Sequence, residues 1–237
     1  MKFLGKMTRR SFLKLSGGVA FLAGMTSSLF ASFIDSLQVR TVEKDAFKFD
    51  PAAGVISWKA NKKEEYRLII DGLVKKSAAF SYRELKSLPQ VEQVSDFHCV
   101  EGWSVQDIRW GGIRFREIMS RVEAEPRATH VVFHSLGKTS STPRGQDHYI
   151  ESLPLSELLQ PDREILLVLH MNGNPLPGEH GAPLRLIAPF DLGYKSIKFI
   201  ARIEFAQSAR PGWWTLANPI YSAVARVPAN RLRKKSK

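Results

Sequence analysis

Ile197-Lys198-Phe199-Ile200-Ala201-Arg202-Ile203-Glu204-Phe205 is the clearest strand signal in the chain. Ile197, Phe199, Ala201, Ile203 and Phe205 share one side of an extended backbone, and Lys198, Arg202 and Glu204 share the other. A period of two predicts a strand with one face in the core. Moving outward, Ile165–Leu169 and His130–His134 read as buried strands, Val91–Cys99 as extended, and Tyr66–Asp71 as a strand turned at Gly72. Between them, Ser81-Tyr-Arg-Glu84 has capping-box spacing for a short helix that ends before Pro89. Phe115, Ile118, Met119 and Val122 follow the i, i+3, i+4, i+7 pattern of an amphipathic helix entered through Gly111-Gly112. Helices and strands mix without a regular βαβ repeat, so the predicted class is α+β, with mixed β-sheets and short helices.

The 237 residues carry 35 Lys+Arg against 23 Asp+Glu, a formal net charge of +12. Such a balance invites a nucleic-acid reading. Its distribution argues otherwise: residues 1–31 hold five cations and no acid, and residues 226–237 hold six and no acid. The body from 32 to 225 is left at +1, with no basic stripe interleaved with aromatics, so nucleic acid is not an expected partner. The basic end at 226–237 reads as a solvated tail, or as a contact for anionic lipid headgroups.

Thr8-Arg9-Arg10-Ser11-Phe12-Leu13-Lys14 precedes a weakly hydrophobic, Gly- and Ser-containing run from Leu15 to Ile34. Paired arginines ahead of such a run resemble a twin-arginine export signal, assigned to residues 1–34, with cleavage or retention as an anchor both open. That route carries folded proteins, often with a cofactor installed, so it places the chain in the periplasm and raises the expectation of a redox group. Residues 35–63 read as an irregular lead-in, 64–225 as one domain, and 226–237 as the tail.

Several chemistries are excluded. A single cysteine rules out an internal disulfide, a Cys-rich zinc site, a protein-ligated iron–sulfur cluster and covalent c-type haem. G-x-G-x-x-G, H-E-x-x-H and G-x-S-x-G do not occur, and Gly137-Lys138-Thr139 lacks the upstream glycine of a phosphate loop.

What remains is Asp96-Phe-His-Cys-Val-Glu-Gly-Trp-Ser104, the loop Asn172-Gly-Asn-Pro-Leu-Pro-Gly-Glu-His-Gly-Ala-Pro-Leu-Arg185, and Pro189-Phe-Asp-Leu-Gly-Tyr-Lys-Ser-Ile-Lys198. One thiolate cannot hold a metal alone, but it can complete a site whose other sulfurs come from a cofactor. Glycines in the loop allow close backbone approach to a bulky ligand. Arg185, Lys195 and Lys198 are suited to a phosphate. Equally, Cys99 can be a small buried hydrophobe and the glycines plain turns.

Cys99-Val-Glu-Gly-Trp103, His180-Gly-Ala-Pro-Leu-Arg185 and Gly193-Tyr-Lys-Ser-Ile-Lys198 resemble the sulfite-oxidase-type molybdopterin family over roughly residues 64–225. Within it the chain is closest in style to the periplasmic methionine-sulfoxide-reducing branch. The resemblance implies a Mo-molybdopterin cofactor, one molybdenum on one pyranopterin dithiolene, with Cys99 as the protein ligand. It implies that Ser135, His180, Arg185, Ser196, Ile197 and Lys198 surround the pterin and its phosphate. Ser135 stands where that branch has threonine and His180 where it has asparagine, and no counterpart of its asparagine-rich contact occurs in residues 40–65.

The implied chemistry is two-electron oxygen-atom transfer, with Glu101 as the candidate proton carrier or else as a structural carboxylate. A carboxylate near the site repels dianionic sulfite and tolerates a neutral sulfoxide, small or protein-borne. Without a haem or iron–sulfur motif, electrons must come from another protein, for which the resemblance implies a membrane haem- or quinone-linked partner. Sulfite oxidation, a non-catalytic exported binding module, and a thiol-based hydrolase or peroxidase stand as alternatives.

Overall fold

A computed structural model describes residues 41–43, 45–59 and 62–233. The export signal at 1–34 and the last cations, Lys234, Lys235 and Lys237, lie outside the described residues. From Phe47 onward the described part of the lead-in is not irregular: β1 (Phe47–Asp50), β2 (Val55–Trp58) and β3 (Lys63–Glu65) form an antiparallel three-stranded sheet. Its aromatics explain the difference. Phe47 meets Trp58 across the sheet at 5.2 Å and reaches Phe199 at 5.4 Å, while Phe49 packs edge-on to Tyr82 at 4.8 Å.

The chain continues through β4 (Arg67–Gly72), β5 (Ala78–Ser81), α1 (Tyr82–Ser87), β6 (Val91–His98) and β7 (Ser104–Arg114). Then follow α2 (Phe115–Val122), β8 (His130–Ser135), β9 (Ile150–Pro154), α3 (Leu155–Leu158) and β10 (Leu166–Met171). β11 (Asn174–Pro175), β12 (Arg185–Ile187), β13 (Ile200–Ala206) and α4 (Trp213–Ala217) complete the order. This is the α+β class with mixed sheets and short helices. The capping box forms as spaced: Ser81 Oγ accepts from the Glu84 amide and the Glu84 carboxylate accepts from the Ser81 amide.

β13 is the middle strand of a five-stranded sheet ordered β5-β4-β13-β8-β9, parallel to β4 and antiparallel to β8. It is shorter than its sequence alternation predicts. Phe199 takes a left-handed φ of 58°, and the register slips between Ile200 and Arg202. That bulge resets the phase, so Ile200, Ile203 and Phe205 are the buried apolar residues, Glu204 is buried beside them and Ala201 is only half-buried.

The second five-stranded sheet runs β11-β10-β7-β6, with β12 pairing β10. β10 is apolar without alternation because both its faces are covered. Leu167 and Leu169 join the main core with Leu68, Phe133, Phe205 and the α2 residues Phe115 and Ile118. Leu166 and Val168 join a smaller cluster with Ile108 and Trp110. Gly111 and Gly112 belong to β7 rather than to a helix entry. A side chain on Gly112 would stand 2.0 Å from the Leu167 carbonyl oxygen, so glycine there permits the β7–β10 contact.

Candidate functional site

β6 ends at His98, and residues 99–103 form the turn into β7. The Cys99 amide donates to the Trp103 carbonyl at 2.9 Å and the Gly102 amide to the Cys99 carbonyl at 3.2 Å. Gly102 has a φ of 97°, a conformation glycine adopts without strain. Cys99 is half-buried and Glu101 exposed. The thiol lies 3.8 Å from Glu101 Oε2, which also accepts from the Trp103 indole at 3.0 Å. The turn therefore presents a sulfur with a carboxylate oriented beside it.

Arg185 opens β12 and is buried. Its Nη1 donates to the His180 carbonyl at 2.9 Å and its Nη2 to the Ser196 carbonyl at 3.3 Å. The guanidinium carbon sits 5.6 Å from the centre of the Phe97 ring and 5.3 Å from that of Trp110. Phe97 is two residues before Cys99, so this cation–π stack ties the cationic loop to the cysteine turn. Among the described residues no carboxylate pairs with Arg185. Burial pulls its pKa down to about 9, although a guanidinium remains charged at neutral pH.

Lys198 adds a second cation, its Nζ donating to the Glu179 carbonyl at 3.1 Å. Burial, then the charge of Arg185, lower its pKa to about 8. Gly181, with a φ of 112°, brings backbone against Lys198, and a side chain there would meet Lys198 Cβ at 2.9 Å. The Phe199 amide donates to the Gly181 carbonyl at 3.1 Å, which closes residues 180–185 onto 196–199. Ser135 ends β8 opposite Ile200, and its buried Oγ has no hydrogen-bond partner among the described residues.

The other predicted contacts fall on the same two segments. His180 is buried, and Ser196 Oγ accepts from the Ala188 amide at 3.1 Å. Ile197 lies in the main core, so only its main chain is left to a ligand. Lys195 departs from expectation. Its ammonium is buried against the Glu151 carboxylate and donates to the Ser152 carbonyl at 2.9 Å and the Ala223 carbonyl at 3.1 Å. It is neutralised inside the protein and is no phosphate ligand.

The C-terminal segment departs as well, since three of its cations are bonded to the body rather than loose, although Arg226 and Arg233 stay exposed. Arg226 pairs with Asp191 at 2.6 Å and with Glu157; Arg231 and Arg233 dock on the β6–β7 hairpin. Phe97, Trp110 and Gly193 lie in stretches that the sequence marks, and Arg231 in the basic tail, but the sequence assigns none of the four a role in the site. A Gly193 side chain would stand 2.2 Å from Phe97 Cζ, so this glycine makes room for the ring under Arg185.

An anionic cofactor that brings its own sulfur ligands fits this donor set. It needs a thiolate, which Cys99 supplies, and cations without internal carboxylate partners, as at Arg185. Among the described residues no group of three or more His, Cys, Asp or Glu is placed to hold a metal. No helix among them is long and apolar enough to cross a membrane.

Residues 54–214 match the oxidoreductase molybdopterin binding domain family. The protein-methionine-sulfoxide reductase catalytic subunit of Gluconobacter oxydans is 36% identical over 171 residues, covering 68% of this chain and 54% of that protein. The corresponding subunit of Ralstonia nicotianae is 34% identical over 179 residues, covering 73% and 52%. An uncharacterised oxidoreductase of Bacillus subtilis is 32% identical over 150 residues, covering 63% and 70%. The chain thus spans about half the length of the two reductase subunits it matches. The sulfane dehydrogenase SoxCD of Paracoccus pantotrophus shares the fold, with a TM-score of 0.53 at 18% identity over 75% of this chain and 53% of that one.

Proposed function

This chain belongs to the oxidoreductase molybdopterin binding domain family, and from that premise we propose that it is an exported molybdenum enzyme that reduces sulfoxide-like substrates. The observation that carries the reading is the stack of buried, acid-free Arg185 on Phe97, two residues from Cys99. It puts an anion-seeking cation within one structural unit of a metal-competent thiolate.

In this reading Cys99 binds the molybdenum, and the cofactor supplies the remaining sulfurs and the two-electron couple. Arg185 and Lys198 hold the phosphate, Arg185 as a fork and Lys198 as a point charge. Ser135 Oγ, His180, Ser196 and the main chain of Ile197 line the pterin. The net reaction takes a sulfoxide, two protons and two electrons to a thioether and water. Glu101 is the proton carrier, since its carboxylate lies beside the Cys99 sulfur and reaches solvent. The same carboxylate disfavours a dianionic substrate such as sulfite. Electrons come from a separate haem- or quinone-linked protein at the periplasmic face of the membrane.

Protein exported through the intact pathway should carry about one molybdenum per chain, lost in Cys99→Ala. It should turn over sulfoxides in preference to sulfite. Glu101→Gln should keep the metal and lower kcat by about 10²-fold or more. Folded wild-type protein without molybdenum would favour a binding module instead, and efficient sulfite turnover without sulfoxide reduction would reverse the assigned direction.

A further inference from the structure

The last described residues return to the cysteine turn. Arg231 Nη1 donates to the Cys99 carbonyl at 2.9 Å, and Nη2 donates to the Trp103 carbonyl at 2.7 Å and to Ser104 Oγ at 3.1 Å. These carbonyls belong to the two residues that open and close the turn, and each already accepts one turn amide. Ser104 Oγ is bonded in turn to His98 Nδ1 at 2.7 Å, one residue before Cys99. One guanidinium thus spans the whole turn. Two residues on, Arg233 forks onto Asp96 at 2.7 Å and Asp107 at 2.6 Å. Those acids face each other across the same hairpin, where the Asp107 amide donates to Asp96 Oδ1 at 3.0 Å.

The docking is polar rather than packed. Leu232 and Arg233 line a cavity of about 450 Å³ together with Asp96, His98, Asp107 and Phe190, and Leu232 belongs to neither hydrophobic cluster. Undocking the segment therefore leaves the hydrophobic core in place.

We propose that Arg231 is a positioning residue for the metal ligand: it locks the Cys99–Trp103 turn and places a fixed positive charge on the main chain of Cys99, so the C-terminal segment completes the site as a strap. This rests on the assignment of Cys99 as the molybdenum ligand, and it adds two effects. Geometrically, it holds the thiolate in the orientation the cofactor requires. Electrostatically, a cation near the thiolate favours the more reduced, more negative state of the metal and so raises its potential.

The test compares the full-length protein with Arg231→Ala, Arg231→Gln, Arg231→Lys and Arg233→Ala. In protein isolated with cofactor, Arg231→Ala and Arg231→Gln should lower the molybdenum midpoint potential and change the Mo(V) paramagnetic spectrum, and Arg231→Lys should restore the potential in part. Arg233→Ala, which keeps the turn contacts, should leave the spectrum unchanged. In protein produced without cofactor, labelling of the Cys99 thiol and amide exchange over residues 99–104 should accelerate about tenfold or more in Arg231→Gln while the thermal unfolding of the rest is retained. Unchanged labelling and exchange in Arg231→Gln would overturn the strap. Wild-type protein that never takes up molybdenum would defeat the assignment of Cys99, and the labelling arm would still decide the strap.

Discussion

Arg185 lies over the face of Phe97, 5.6 Å from the ring centre, and Gly193 is the residue that leaves space for that ring. Strand β6 and the segment from 180 to 198 are thereby held in one arrangement, with the cation directed by the backbone carbonyls of His180, Leu186 and Ser196. Gly193→Ala should displace Phe97 and weaken cofactor retention about 10–100-fold without unfolding the chain. Arg185→Gln should do so through lost charge. Molybdenum and pterin per chain, measured after gel filtration, distinguish both from the wild type.

The depressed pKa of Lys198, about 8 against 10.5 for a free lysine, sets a pH window. Between these values the folded cofactor-free chain binds fewer protons than the unfolded chain, so stability rises with pH across that interval. Lys198→Met should flatten the rise. Affinity for inorganic pyrophosphate should run the other way, falling as pH passes about 8, because the cation is lost. Urea unfolding and calorimetric titration at matched ionic strength check the two slopes.

Lys195 and Glu151 form a buried ion pair. Burial raises the Glu151 pKa, while the lysine charge and hydrogen bond oppose that rise. Removing one partner strands a charge in the interior, so Lys195→Met should cost about 3–5 kcal/mol. The double variant Glu151→Leu with Lys195→Met should recover a large part of that loss. Urea unfolding of the single and double variants measures the coupling.

His134 Nε2 donates to Glu204 at 3.0 Å, and its Nδ1 lies 2.9 Å from His148 Nε2. Burial, then Arg202, lowers its pKa from 6.5 to about 4. The unfolded chain therefore binds a proton between pH 6.5 and 4 that the fold excludes, and stability should fall as pH drops through this range. His134→Gln should reduce that slope by about one proton. Unfolding free energies at half-unit pH steps test it.

Much of the fold is legible in local pattern. The Ser81–Glu84 box, the α2 stripe and the apolar runs at β8 and β10 all form where their spacing places them. Each is governed by neighbours within a few positions along the chain. The strands at 47–65 are not legible in the sequence because they are short, and their aromatics act mainly by packing on Phe199 and Tyr82. β13 begins three residues after its alternation does because a bulge is a property of two strands pairing, not of one strand's composition.

The candidate site divides in the same way. Cys99-Val-Glu-Gly-Trp103 already sets a sulfur and a carboxylate two residues apart, and a tight turn brings them to 3.8 Å. Which cation meets a ligand is not a local property. Lys195 and Lys198 are three positions apart and alike in type, yet Glu151, 44 residues upstream, neutralises the first. Arg231 looks like part of a solvated tail until it is seen on the carbonyl of Cys99, 132 residues away. Charge type and spacing can be read along the chain, whereas desolvation and pairing depend on what the folded chain brings within a few ångströms. Those contacts set a lysine neutralised in the core apart from the one proposed to meet an anion, and a loose tail apart from the proposed strap.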